Sequence, residues 1–243
     1  MTKSNILNLL IDAIFPPKCL KCGSFLVEQY PNKNYSQFSQ LSQYFCSSCF
    51  KLEEDFNIDD NPDKYCQIEL IASSKYSGII KESIHLLKYN GKTQLADPLG
   101  FILFNTFVQY YGNKSTDLIV PIPLYYWKMA KRGFNQSFLL IRHFKTYWFN
   151  LKGSKPAWQI APNILIRERD TKSQTGFNKE ERKNNVKGAF VVRKSDILKN
   201  RIKGKNIVLV DDVYTTGATA IEACNTLLEA GAESVKIVVL AKV

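Results

Sequence analysis

Apolar positions along the 243-residue chain follow two periods. In "SGIIKESIHLLKYNGK" they recur at helical spacing, at Ile80, Ile84 and Leu87, until Asn90 and Gly91 stop the run. That spacing predicts a helix, and "QLADPLGFILFNTFVQYY" predicts a second. Short apolar runs bounded by turn residues predict strands at "IELIASSKY", "DLIVPIP", "NILIR" and "GAFVV". Between them, "LYYWKMAKRG" reads as a loop and "FNQSFLLIRHFKTYW" as one helix. The end of the chain predicts a compact βαβ unit: strand Ile207 to Val210, loop Asp211 to Gly217, helix Ala218 to Ala230 closed by Gly231, and strand Val235 to Leu240. This alternation predicts an α/β, doubly wound, mostly parallel sheet, with ligands beyond the carboxyl ends of its strands.

The first third lacks that rhythm. "NILNLLIDAIF" is apolar on a helical period, yet it is short, carries Asp12, has only Lys3 ahead of it and lacks a small-residue cleavage site. A helix packed on the body or on a partner is expected there, not a signal peptide or a membrane span. "KLEEDFNIDDNPDKY" reads as a solvated acidic connector. The expected division is therefore a small module over residues 1–66 and an α/β domain over residues 67–243. The 45% of apolar residues is enough to fill a core.

Charge changes the picture in the middle of the chain. Of the net +11, residues 1–70 contribute −3, residues 71–166 contribute +9, residues 167–205 contribute +8 and residues 206–243 contribute −3. A partner rich in phosphate is expected, either a small anion or a nucleic-acid backbone; a basic surface that serves only solubility is the plainer alternative.

Six cysteines form two CxxC pairs and two singles. Cys19 with Cys22 and Cys46 with Cys49 place four thiolates where two short turns can complete a tetrahedral zinc site, closed and therefore structural. Disulfides compete with this reading, but nothing marks secretion, so zinc and a cytoplasmic location are expected. Cys66 and Cys224 read as a loop or core thiol.

The densest chemistry lies in "NIVLVDDVYTTGAT", Asn206 to Thr219, where four apolar residues run into two aspartates. A buried carboxylate is costly unless paired, which suggests that the strand opens onto a site. "TTGAT" at a helix N-terminus presents free N–H groups and hydroxyls, and Gly217 lets a phosphate approach the backbone. Aspartates cannot hold phosphate, so ribose hydroxyls and Mg²⁺ suit them best. Together these residues describe a sugar phosphate with a metal beside it.

The same run resembles the 5-phosphoribosyl 1-pyrophosphate (PRPP) signature of type I phosphoribosyltransferases. "VPIPL", "KRGFNQS", "RERDTKSQTGFNKEERKNNVKGAF" and the paired knuckles, in this order, resemble the ComF family, whose members act in bacterial competence and DNA uptake. The resemblance implies a type I phosphoribosyltransferase-like sheet with a zinc-ribbon-like N-terminal module. It implies that Asp211 and Asp212 hold the ribose hydroxyls, directly or through Mg²⁺, and that Thr215, Thr216, Gly217, Ala218 and Thr219 wrap the 5-phosphate. Lys128, Lys131 and Arg132 fall where the superfamily binds pyrophosphate. Residues 169–187 would form the loop that closes over the site, with Arg167, Arg169, Gln174, Arg182 and Asn185 on matching positions. Asp211, Asp212, Arg132 and Arg169 are the candidate catalytic residues, acting through positioning and charge neutralisation.

Glutamine-dependent amidophosphoribosyl transfer is not expected, because position 2 is threonine where that enzyme needs an N-terminal cysteine. Two other readings stay open beside a transferase with an unnamed acceptor. One is a single-stranded DNA binder, with a competence-machinery protein as a further candidate partner, since "YYWKMAKR" and "HFKTYWFNLK" interleave aromatics with charge. Core packing of Trp127, Tyr147 and Trp148 competes with stacking. The other is a PRPP-sensing regulator, although no helix-turn-helix supports it. His85 and His143 read as packing residues.

Overall fold

The structure, a computed structural model, describes residues 16–26, 38–50, 68–112, 114–170, 186–194 and 200–243. The N-terminal apolar run, the acidic connector, Cys66 and the loop positions Gln174, Arg182 and Asn185 lie outside these residues.

Five parallel strands form the sheet, in the order β1 (Leu70–Ala72), β7 (Ser234–Lys242), β6 (Asn206–Tyr214), β2 (Leu118–Pro121) and β3 (Gln159–Ile160). β6 has a neighbour on each side and helices over both faces, so "IVLV" is apolar throughout instead of alternating. β4 (Leu165–Arg167) and β5 (Phe190–Val192) were expected to join this alternation. They form a separate antiparallel pair instead.

Six α-helices have both ends among the described residues: α1 (Gly78–Asn90), α2 (Ala96–Tyr111), α3 (Tyr126–Arg132), α4 (Gln136–Ile141), α5 (Phe144–Lys152) and α6 (Ala218–Glu229). On one face Val208, Val210, Val238 and Leu240 pack with α1, α2, α4 and α5. On the other Ile207, Leu209, Ile237 and Val239 pack with α6 and with Leu165 and Phe190 of the small pair. α2 and α4 approach closely at Gly100, where a Cβ would stand 2.3 Å from the Leu140 carbonyl oxygen. Phe107 anchors the first face, with the rings of Phe144 and Trp158 5.7 and 5.6 Å away. Truncating so buried a ring costs about 3–5 kcal/mol.

Three further elements differ from their expected bounds. The expected loop "LYYWKMAKRG" contains helix α3, which ends on Gly133 in a left-handed conformation (φ 82°) and carries Lys131 and Arg132 in its last turn. The single helix expected over residues 134–148 is two, broken at Arg142 and His143, so that fully buried Phe144 can pack against Phe104 and Phe107. No glycine or proline marks the break. The third change is in β6, which does not stop at Val210. It continues through both aspartates to Tyr214, because β7 keeps pairing with it up to Tyr214 opposite Lys242. Its other neighbour, β2, ends at Pro121 opposite Val210, and the N-terminus of α4 occupies the ground beyond. Both histidines are exposed, which corrects their reading as packing residues: position 85 falls off the buried stripe of α1, and His143 lies 3.5 Å from Asp97 on the surface.

Candidate anion and metal sites

At the carboxyl end of β6 the chain turns at Thr215 and Thr216 and enters α6 through Gly217. Gly217 is left-handed (φ 77°), and a Cβ there would stand 2.1 Å from the Tyr214 hydroxyl oxygen and 2.5 Å from its ring. Only glycine lets the turn close this tightly over a buried tyrosine. α6 has no side-chain cap at its N-terminus and no acid in its first turn, so its first N–H groups keep their positive end for a ligand. A pocket of about 90 Å³ lies there, lined by Asp211, Thr215, Gly217, Ala218, Thr219 and neighbouring apolar residues. The Thr216 hydroxyl is buried without a hydrogen-bond partner among the described residues, and Thr216 is not among the residues that line the pocket.

The two aspartates part company. Asp211 lines the pocket and accepts a hydrogen bond from the Ser137 hydroxyl at 2.8 Å. Burial, then the neighbouring charge of Asp212, pushes its carboxyl up to about 7. Asp212 is 3% exposed, forms an ion pair with Lys88 of α1, and takes a longer contact from the Gln136 amide at 3.5 Å. Burial alone would raise Asp212, but the Lys88 ammonium outweighs it and holds the carboxyl below its ordinary value. Burial works against the charge on Lys88 in the same way, and Asp212 more than offsets it.

The basic residues fall into three groups. Arg132 donates to Gln136 Oε1, which ties it to the aspartate pair, and it lies over the Tyr89 ring at 5.9 Å. Lys128 pairs with Asp170 at 3.2 Å, which brings α3 to the start of the 169–187 segment; Lys131 is exposed on the same helix. Arg167 on β4 lies over Phe190 at 5.3 Å; burial lowers its pKa, while the charges of Asp211 and Asp170 oppose that shift. Arg169 follows on the surface.

Sequence reasoning missed Lys88, Gln136 and Ser137 as members of the site. Lys88 did carry a signal, because positions 80, 84 and 88 share one stripe of α1, and a cation on a buried stripe calls for a carboxylate.

The cysteine cluster lies apart from this pocket. Lys18 bridges Phe25 in antiparallel fashion, and the turn between them carries Cys19 and Cys22; a second turn carries Cys46 and Cys49. The four Sγ atoms lie within 4.8 Å of one another, and Cys22 and Cys46 are 3.7 Å apart. Four ligands at about 2.3 Å from a tetrahedral metal stand about 3.8 Å apart, so the set fits a zinc-like ion and is too open for a disulfide. The Ser24 hydroxyl and backbone draw the Cys22 thiol down to about 6, while burial, then the other thiols, pushes Cys49 up to about 12. Cys19, Phe38, Leu41 and Phe45 join the core that α1 and α2 build, and Lys21 meets Glu82 of α1 at 3.5 Å.

Residues 152–243 match the family model described as "Phosphoribosyl transferase domain". The chain is 27% identical over 229 residues to "Competence protein F" of Haemophilus influenzae, covering 93% of this chain and 85% of that protein. It is 30% identical over 171 residues to "DNA utilization protein YhgH" of Escherichia coli, covering 69% of each. "Competence protein ComFC" of Bacillus subtilis is 30% identical over 156 residues, 64% of this chain and 56% of that one. The matched domain and the five-stranded parallel sheet give an α/β fold of the type I phosphoribosyltransferase kind, with a four-cysteine module near its N-terminus.

Proposed function

Since the chain belongs to the ComF family of competence and DNA utilization proteins, we propose that it serves DNA uptake, binds PRPP with Mg²⁺ in the pocket at the end of β6, and handles single-stranded DNA. The observation that carries the ligand is the pocket itself: one carboxylate, a turn with Thr215 and Thr219 on its walls, and an uncapped helix N-terminus. In this reading Thr215, Thr216, Gly217, Ala218 and Thr219 wrap the 5-phosphate, and Asp211 meets the ribose hydroxyls or the metal. A carboxylate beside a phosphate-rich ligand is the setting Mg²⁺ takes in proteins, because the phosphates supply the remaining oxygens. When bound, the ion would neutralise charge on the pyrophosphate. Lys128, Lys131 and Arg132 supply fixed charge on that side, and Arg167 and Arg169 approach from the small antiparallel pair. Residues 1–66 form the zinc-stapled module and residues 67–243 the ligand domain.

The DNA side rests on a different surface. Tyr126 and Trp127 of α3 are 56% and 62% exposed, and their rings lie 4.7 Å apart between Tyr125 and Lys128. Adjacent, exposed aromatics beside lysines suit bases and backbone phosphates together. The competing expectation of core packing holds for Tyr147 and Trp148, which are half-buried against the core.

Thermal unfolding with PRPP and Mg²⁺ tests the ligand. The native chain gains stability with rising ligand, by about 2.7 kcal/mol at a hundredfold excess over Kd. Thr215→Val and Asp211→Asn lose most of the gain. No shift in the native chain would remove PRPP from the reading.

A further inference from the structure

We propose that Lys88 divides the labour of the aspartate pair: it locks Asp212 into the body of the protein as an anchor, leaving Asp211 as the carboxylate that meets the ligand. The inference deepens the phosphoribosyl reading and rests on it for its ligand arm.

Three observations carry it. The pocket at the end of β6 is lined by Asp211, Val213 and Val239, and Asp212 is not among its walls. Asp212 instead has a partner for each oxygen, Lys88 for Oδ2 and Gln136 for Oδ1. Lys88 is itself largely withdrawn from water, its side chain 18% exposed and that of Asp212 5%. A lysine so placed cannot swing to a ligand without leaving a buried carboxylate bare, which is strongly unfavourable.

The geometry also gives Lys88 a reason to exist. Two adjacent carboxylates at one strand end repel, and the strain falls on whichever is less solvated. By neutralising Asp212, Lys88 lets β6 carry both carboxylates while β7 holds the strand to Tyr214. Gln136 extends the lock: its oxygen accepts from Arg132 while its amide faces Asp212, so the α3 cation and the anchor are registered through one side chain. Lys88 thus acts on Asp212 and holds it in the body of the protein, and it touches no ligand itself.

The test combines PRPP titration in Mg²⁺ with thermal unfolding of the ligand-free full-length chain. The variants are Asp211→Asn, Asp212→Asn, Lys88→Met, Lys88→Arg, and the double Lys88→Met, Asp212→Asn. Either single change at the ion pair strands a buried charge and lowers Tm by on the order of 10 °C, whereas the double change restores most of it. Lys88→Arg, which keeps the charge, falls less than Lys88→Met. PRPP binding weakens at least tenfold in Asp211→Asn and stays within about threefold of native in the double variant.

A double variant as weak for PRPP as Asp211→Asn would overturn the division of labour, since Asp212 would then be a ligand contact. Additive losses of Tm in the double variant would overturn the lock. If the native chain binds no PRPP, the phosphoribosyl reading falls, and the Tm cycle by itself still upholds or overturns the lock.

Discussion

Asp211 carries a carboxyl raised to about 7 against an ordinary value of 3.8. The folded chain therefore holds a proton there that the unfolded chain has released. The contribution to stability is fully present below about pH 4 and is lost as pH rises through about 7. Asp211→Asn removes the charge and keeps an acceptor for Ser137. It is expected to flatten this part of the pH profile and to raise Tm at pH 8, where a relief of about 2 kcal/mol corresponds to roughly 5 °C for a chain of this size. Unfolding curves of the ligand-free protein between pH 5 and 8.5 check it; a parallel profile for native and variant would contradict the burial of Asp211. Gly217→Ala is a second residue-scale prediction. Its Cβ meets the Tyr214 ring while the backbone sits at positive φ, so the loop must shift, at a cost of about 1–3 kcal/mol, and phosphate binding is lost. A ligand titration of this variant checks it, and native affinity would contradict the tight turn. These positions were legible because "DDVYTTGAT" is contiguous. Lys88 was not, because its meaning depends on Asp212, a partner far along the chain that only the packing of α1 on the sheet brings to it.

At the scale of elements, periodicity recovered α1, α2, α6 and β7 almost to their ends. It failed where a tertiary neighbour decides. β6 outran its expected end because β7 goes on pairing with it, and the helix over residues 134–148 broke because Phe144 had to reach Phe107. α3 was read as a loop because its seven residues bury nothing and so carry no apolar stripe. The cysteine module is the opposite case, since its spacing alone gave the four thiols that come together. It has little core of its own, but Cys19, Phe38, Leu41 and Phe45 are buried against the α1 and α2 side of the sheet. Chelation, or Cys46→Ser with Cys49→Ser, is therefore expected to loosen this packing, lower Tm and expose apolar surface to a reporter dye. The purified native protein should carry one zinc per chain by elemental analysis and the variant none; equal metal in both would rule the cluster out as its site.

For the molecule as a whole, the proposed reading assigns phosphoribosyl and DNA binding to two surfaces. In the proposed reading, the pocket at the end of β6, about 90 Å³, takes one phosphoribosyl ligand. That ligand does not account for an excess of +17 across residues 71–205. Exposed Tyr126 and Trp127 sit beside Lys128 and Lys131 on α3, whose last turn delivers Arg132 to the Gln136 and Asp212 side of the site. A single strand lying on α3 would thus pass close to the phosphate pocket without entering it. Each stacked base contributes about 1–3 kcal/mol, so Tyr126→Ala with Trp127→Ala is expected to weaken single-stranded DNA binding on the order of tenfold or more. The PRPP-induced Tm shift stays as in the native chain, because neither ring lines the pocket. Replacing Lys128 and Lys131 by glutamine acts differently: affinity falls for all sequences alike, and the slope of log affinity against log salt becomes shallower by roughly 0.7 for each phosphate that is no longer neutralised. Fluorescence anisotropy with a labelled oligonucleotide, read across a salt series, separates the two effects. Unchanged affinity in the aromatic double variant would remove α3 as the DNA surface while leaving the pocket and its ligand untouched.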